Sequence, residues 1–361
     1  MRIREIVCKR TETELKRPFD IAGGKSNRVQ SIVVKLISAD GLVGIGEAVP
    51  MPAYSGQTVL GVLEALEQYI AEVLIDVDIE SGPHLHRLMR SAIKEQAIAK
   101  AAVDIAFHDL ICQSLQIPLH EYLGGRVRNR VELSWAIGLG EIAAILDEAS
   151  EMIAKGFHTL KVKVGLDAER DLEVIARLRE QVGDQVALRI DANEGYSLTE
   201  AERVLAAMER YRLELIEQPI PAWNARGLSH LKRLLTTPIM VDEGLKTAHD
   251  ALELIRVEAV DIFNIKLMRV GGIHPAREIS ALAESAGIPC MVGSMPELGI
   301  ATAAGIHFAL TQRPVEYACD LIGPLMVVKD IACEKLYTQI DGRTTAIAGD
   351  DLGLGVSYED Y

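Results

Sequence analysis

From about Val131 onward the chain alternates between two kinds of segment. Short apolar runs at 131–137, 159–164, 187–192, 213–218, 239–243, 260–266, 289–294 and 315–320 read as strands. Segments at 141–155, 167–182, 198–210, 226–236, 248–257, 274–286 and 299–310 carry apolar residues at helical spacing. Eight strands separated by seven helices, with no long gap, predict an α/β fold: a closed (β/α)8, TIM-like barrel rather than an open doubly wound sheet. An open sheet would normally carry a glycine-rich phosphate loop after its first strand. Ile137-Gly-Leu-Gly140 lacks the third glycine of such a loop, so no nucleotide site is expected there.

The pattern before Val131 is different. RIREIVCKRTE and SIVVKLISADGLVGIGEA read as strands, and Ala39-Asp-Gly41 makes a hairpin turn in the second. The small and polar residues from Phe19 to Asn27 predict a mobile loop between them. Residues 57–72 and 80–92 have helical periodicity. The clearest helix spans 94–116, where small residues permit close packing; Pro118 stops it and LHEYLGGR follows. Strands followed by helices make an α+β module. The tail from Gly323 is short and turn-rich and is expected to fold back onto that module. The predicted organisation is therefore an α+β unit at 1–125, a barrel at 126–322 and a returning tail at 323–361.

Composition narrows the function classes. A net charge of −14 argues against nucleic acid, which needs a basic footprint, and gives no support for an anionic membrane surface. No run of about 18 uninterrupted apolar residues occurs, so no membrane span is expected. The cysteines (Cys8, Cys112, Cys290, Cys319, Cys333) are odd in number and scattered, without a CxxC, which fits reduced thiols. With no apolar leader after Met1, a cytoplasmic protein is expected.

The chemistry gathers between Lys161 and Lys266. Lys161-Val-Lys163, Asp191-Ala-Asn193, Glu217-Gln-Pro219, Asp242-Glu243 and Asn264-Ile-Lys266 each end an apolar run. One strand, one helix and two loops account for the steps of 24 to 26 residues between Asp191, Glu217, Asp242 and Lys266. Strand C-terminal ends form the functional mouth of a barrel. Any single carboxylate would serve as well for a helix cap, but a shared register over three consecutive strands points to a metal site. Asp191, Glu217 and Asp242 are the candidate ligands, with an oxygen set suited to Mg²⁺ and Mn²⁺ as the alternative. Asn193 and Glu243, within two residues of ligands, are candidates to orient them. Alternation puts Lys161 and Lys163 on one side of their strand, where a barrel offers no solvent, so they must pair or do chemistry. Lys163 and Lys266 are then an acid/base pair able to take a proton from one face of a bound carboxylate substrate and return it to the other.

In this order and spacing, K-x-K, D-x-N, E-Q-P, D-E and N-I-K resemble the enolase superfamily, muconate lactonizing enzyme subgroup. GLVGIGEA, KAAVDIAFHDL and the LGG before the barrel are similar to that subgroup's capping domain, so the resemblance covers nearly the whole chain. It implies that the α+β unit caps the barrel mouth and that Mg²⁺ on the three carboxylates holds an enediolate; this superfamily's Lys/His base and Mg²⁺ are a known example of tuned acid/base chemistry. It further implies that Lys161 helps to neutralise the substrate carboxylate while Lys163 and Lys266 flank the α-carbon. Relatives in the subgroup often form octamers or dimers, so a homo-oligomer is expected.

Specificity is less clearly written. Strand seven ends in Gly293-Ser-Met-Pro-Glu297, without the His–Asp pair of the mandelate racemase branch, and PCMVGSM resembles dipeptide epimerases. Ser294 and Met295 are therefore expected to contact substrate. Those epimerases carry Asp-x-Asp at strand eight, gripping an α-ammonium. Here Asp320-Leu-Ile322 supplies one acid, and DLIGPL is closer to muconate lactonizing enzymes. Asp320 remains a candidate for a cation, with an N-acylated substrate also open. His274 reads as helix N-terminal packing and His307 as a core histidine. Loops 19–28 and 51–58 are expected to close over the pocket. The leading expectation is a Mg²⁺-dependent racemase or epimerase of a dipeptide or N-substituted amino acid. The alternatives are a muconate-type cycloisomerase, a dehydratase or a barrel that only binds ligand.

Overall fold

The computed structural model describes residues 1–21 and 24–358. It opens with an antiparallel meander of β1 (Ile3–Ile21), β2 (Gly24–Ser38) and β3 (Val43–Ala48). Gly41, at φ 84°, makes the turn between β2 and β3, where its amide donates to Ser38 O. The helix Ala97–Leu115 lies across β2 and β3 and is buried on nearly every side. Its approach depends on two glycines of β3: a Cβ at Gly46 would stand 2.0 Å from Ala102 O, and one at Gly44 2.1 Å from Ala106 O.

The expected loop at 19–27 is corrected by the structure. After a register shift between Glu14 and Phe19, β1 and β2 continue as a paired hairpin, with Phe19 opposite Ser26 and Ile21 opposite Gly24. Backbone pairing carries the ribbon past the point where its apolar pattern fades. Residues 22 and 23 lie outside the described residues.

The parallel sheet runs through β5 (Trp135–Ile137), β6 (Thr159–Lys163), β7 (Ala187–Asp191), β8 (Leu215–Glu217), β9 (Ile239–Val241), β10 (Ile262–Ile265) and β11 (Cys290–Val292). The expected eighth strand is present as two parallel bridges, Val315 to Cys290 and Cys319 to Leu133. That segment joins the last strand of the sheet to the first, closing a (β/α)8-type barrel. Helices between the strands begin where the sequence supplies caps. Asp167 caps Ala168–Val182, Ser197 and Glu200 form a capping box on Leu198–Met208, and Thr247 caps Ala248–Arg256.

A short strand, β4 (Val131–Glu132), pairs with the tail hairpin of β12 (Tyr337–Ile340) and β13 (Arg343–Ala346). Elsewhere the tail bridges back to the N-terminal unit, Val327 to Leu15 and Gly353 to Pro118. Glu47 of β3 ties the units together as well: its two carboxylate oxygens accept from Leu298 N and Ala301 N, each at 3.0 Å, at the start of the helix Gly299–Thr311. Among the described residues no helix is long and apolar enough to cross a membrane.

Candidate active site

Strand register assembles the charged residues. Lys163 pairs with Asp191, Asp191 with Glu217, and Glu217 with Met240, so two-residue alternation returns Asp242 to the same side. Oxygens of Asp191, Glu217 and Asp242 lie within 4.8 Å of one another, and all three side chains are buried. Asp242 Oδ1 is buried without a hydrogen-bond partner. Three anionic oxygens and one orphaned acceptor make a donor set that fits a hard divalent cation, so these residues could hold a metal ion.

The backbone turns sharply after Asp191 and Glu217. Asn193 and Gln218 have φ of 42° and 34°, in the left-handed region that non-glycine residues seldom enter. The turn at Asn193 brings its Oδ1 within 2.8 Å of Lys163 Nζ and its Nδ2 within 2.9 Å of Glu243 Oε1. Gln218 Oε1 accepts from the amides of Asp242 (3.0 Å) and Gly244 (3.2 Å), fixing the end of β9. Asn264 Nδ2 donates to Glu217 Oε1 at 2.7 Å. Gly293 must be a glycine for that arrangement, since a Cβ there would lie 2.2 Å from Asn264 Oδ1.

Each carboxylate faces an ammonium. Lys163 Nζ donates to Asp191 Oδ2 at 2.5 Å and Lys266 Nζ to Asp242 Oδ2 at 2.7 Å. Lys161 Nζ is 2.9 Å from Glu217 Oε2 and pairs with Asp320, whose other oxygen accepts from Ser134 Oγ. Burial opposes charge on all of these groups, and the outcome depends on neighbours. For Asp191, burial raises the pKa, but Lys163 and Lys161 outweigh it and hold the group at about 2. Glu217 is pushed up to about 7 by burial and by Asp191 beside it. Burial and then Asp242 push Glu243 well up. For Lys266, burial lowers the pKa, but Asp242 and Glu217 outweigh it and raise the group.

A cleft of about 530 Å³ lies over this cluster, lined by Lys161, Lys163, Lys266, Ser294, Met295 and Asp320. Its other walls are mainly apolar and include Phe19 and Ile21 of the hairpin and Met51 and Tyr54 of the 51–58 segment. Ser294 turns its hydroxyl away, donating to Asp320 O at 2.6 Å. Sequence reasoning missed Tyr54 and Arg269. The Tyr54 hydroxyl accepts from Lys266 Nζ at 2.8 Å and donates to Asp242 Oδ2 at 2.5 Å. Arg269, pushed down to about 9 by burial, lies 3.4 Å from Asp242 Oδ1. A cation three residues after a catalytic-looking lysine, directly after its strand, was the available signal. His274 packs at a helix start, its amide 3.3 Å from Asp104 Oδ2, and His307 is buried against Leu354 O.

Two sequence-family profiles match the chain: "Mandelate racemase / muconate lactonizing enzyme, N-terminal domain" over residues 3–124 and "Enolase C-terminal domain-like" over 144–361. A hydrophobic dipeptide epimerase of Enterococcus faecalis is 37% identical over 361 residues, covering 99% of this chain and 100% of the relative. An N-succinyl-L-Arg/Lys racemase of Bacillus cereus is 33% identical over 88% of this chain and 86% of the relative. The crystal structure of the E. faecalis dipeptide epimerase, complexed with Mg and L-Leu-L-Tyr, superposes with a TM-score of 0.94 at 34% identity. That match covers 99% of this chain and 100% of the other.

Proposed function

This chain belongs to the mandelate racemase/muconate lactonizing enzyme family of the enolase superfamily and is an isomerase, and from that premise we propose that it epimerises or racemises a dipeptide or N-substituted amino acid by 1,1-proton transfer. The observation that carries the reading is the position of the two lysines. Lys163 ends the second barrel strand and Lys266 directly follows the sixth, with Asp191, Glu217 and Asp242 on the three strands between. Strands four apart in a closed eight-stranded barrel stand across the mouth from each other. A substrate carboxylate held over the acids therefore presents opposite faces of its α-carbon to the two amines.

Asp191, Glu217 and Asp242 would hold Mg²⁺, with Mn²⁺ as the alternative. The bound ion supplies a Lewis acid for the substrate carboxylate and a counter-charge for the enediolate. Lys161 adds a fixed positive charge beside that carboxylate. One lysine removes the α-proton; the other, protonated, delivers its proton to the opposite face. Asn193 orients Lys163, and Glu243 fixes Asn193. The apolar walls from Phe19, Ile21, Met51, Met295, Ile322 and Met326 fit a hydrophobic side chain.

A second reading has its own support. Both oxygens of Asp320 already accept a hydrogen bond, from Lys161 and Ser134, so its charge is partly spent before a substrate ammonium arrives. That favours a substrate without one, such as an N-acylated amino acid or a muconate-like diacid undergoing ring closure. Proton NMR in D₂O with Mg²⁺, on hydrophobic L,L-dipeptides, N-succinyl amino acids and cis,cis-muconate, separates the cases. The expected result is α-deuteration with inversion, abolished by chelator. Lactone formation without exchange would replace the epimerase reading with the cycloisomerase one.

A further inference from the structure

We propose that Tyr54 is a positioning residue for one lysine alone: it aims the Lys266 ammonium and so governs proton transfer on that lysine's face of the substrate. The inference rests on the two-base reading above and deepens it.

Tyr54 comes from outside the barrel, in the short helix Pro52–Ser55. The turn is internally pinned. Met51 O accepts from the amides of Tyr54 (3.0 Å) and Ser55 (2.7 Å), and Pro52 O accepts from Gly56 N, with Gly56 at φ 70°. The phenol oxygen closes a ring of three contacts: 2.8 Å from Lys266 Nζ, 2.5 Å from Asp242 Oδ2, and 2.7 Å between Lys266 Nζ and that same carboxylate oxygen. An ammonium has three donors. Two go to Tyr54 and Asp242, which leaves the third for the cleft that Lys266 lines. The ring adds a further hold, its centroid 4.8 Å from Lys266 Nζ and 4.5 Å from the Arg269 guanidinium carbon. Arg269 Nε and Nη2, both buried, have no hydrogen-bond partner, so ring stacking and the Asp242 charge are what hold that cation beside the phenol.

Lys163 is held otherwise. Its acceptors are Asp191 at 2.5 Å, the last residue of the neighbouring barrel strand, and Asn193 at 2.8 Å, from the loop after that strand. Tyr54 makes no hydrogen bond to it. The hydrogen bonds of one base come from the barrel, with the Phe19 ring centroid 5.9 Å from its Nζ, whereas the other base shares its hydrogen bonds between the barrel's Asp242 and a segment laid over the mouth. Of the two acceptors on Lys266, Tyr54 is the neutral one, so its hold does not depend on the charge state of a carboxylate.

The test uses full-length protein with Mg²⁺ and two probes, L-Leu-L-Tyr and L-Leu-D-Tyr, following α-deuteration of the C-terminal residue in D₂O. Lys163→Ala and Lys266→Ala identify the configuration each lysine serves. Tyr54→Phe is expected to slow exchange about tenfold for the configuration silenced by Lys266→Ala, and to leave the other within about twofold. Equal loss on both configurations, or loss on neither, would overturn the proposal. A second readout needs no substrate: reductive methylation of the metal-free protein, followed peptide by peptide by mass spectrometry. Lys266 is expected to label about threefold faster in Tyr54→Phe while Lys163 is unchanged, and unaltered Lys266 labelling would also overturn the proposal. If labelling changes as expected but neither lysine variant distinguishes the two configurations, the two-base reading fails and the Tyr54–Lys266 linkage stands.

Discussion

A buried carboxylate takes its meaning from its neighbours, and Glu297 shows this away from the metal cluster. It is almost fully buried, its Oε2 lacks a partner, and burial, reinforced by Glu47 and opposed by backbone donors and Lys266, pushes it from 4.5 to about 8. The fold thus keeps a proton that the unfolded chain releases, so this group makes stability fall as pH rises from about 5 to about 8. Glu297→Gln keeps the shape without the titration. Its stability relative to the parent is expected to grow by about 1 kcal/mol per pH unit across that window, read from urea midpoints with chelator present. A constant difference would mean that the carboxyl is already charged in the fold. Nothing in the sequence marked Glu297 for this role, because the charged groups that bear on it, Glu47 and Lys266, are distant in sequence. Tyr54 was hidden for the same reason: no spacing rule connects residue 54 to residue 266. Asp191, Glu217 and Asp242 were legible because each ends a strand and the strands repeat.

Among the elements, the barrel strands and helices were readable from their periodicity, and their observed ends fall within a few residues of the pattern. The eighth strand shrank to bridges because Glu316 N and Asp320 N reach Cys290 O and Val292 O, four residues against two, so its pairing with β11 does not run residue by residue. The 19–27 segment misled because its small, polar residues read as a loop, whereas among the described residues β1 and β2 still pair there, from Phe19 opposite Ser26 to Ile21 opposite Gly24. Short glycine motifs carried more than turn chemistry. Gly46 lets β3 press against the helix Ala97–Leu115, and Ala102 O is backbone that cannot swing aside. Gly46→Ala is expected to destabilise the protein by about 3 kcal/mol in denaturant titration. Gly140→Ala, with nothing within 4 Å of its Cβ, should stay within about 0.5 kcal/mol. Similar effects at both sites would mean that the close helix–strand approach does not hold.

For the whole molecule, the barrel supplies charge at fixed register, and the N-terminal unit supplies the apolar cover of the cleft together with Tyr54. Glu47, from the same unit, anchors the start of the helix that follows β11, so cap and barrel share a rigid connection close to the mouth. The tail ties to both units, to the barrel through β13 on β4 and to the N-terminal unit through Val327 and Gly353. Such a division makes the two lysines the part of the site that the barrel's symmetry dictates, and the proposed proton transfer depends on their facing each other. The most direct measurement is α-proton exchange in D₂O by the two single-lysine variants, each offered both configurations of an exchanging substrate. Lys163→Ala and Lys266→Ala should each lose inversion by about a thousandfold or more, and each should still deuterate one configuration, a different one for each variant. Inversion at the parent rate in either variant, or loss of exchange on the same configuration in both, would contradict a pair of bases on opposite faces.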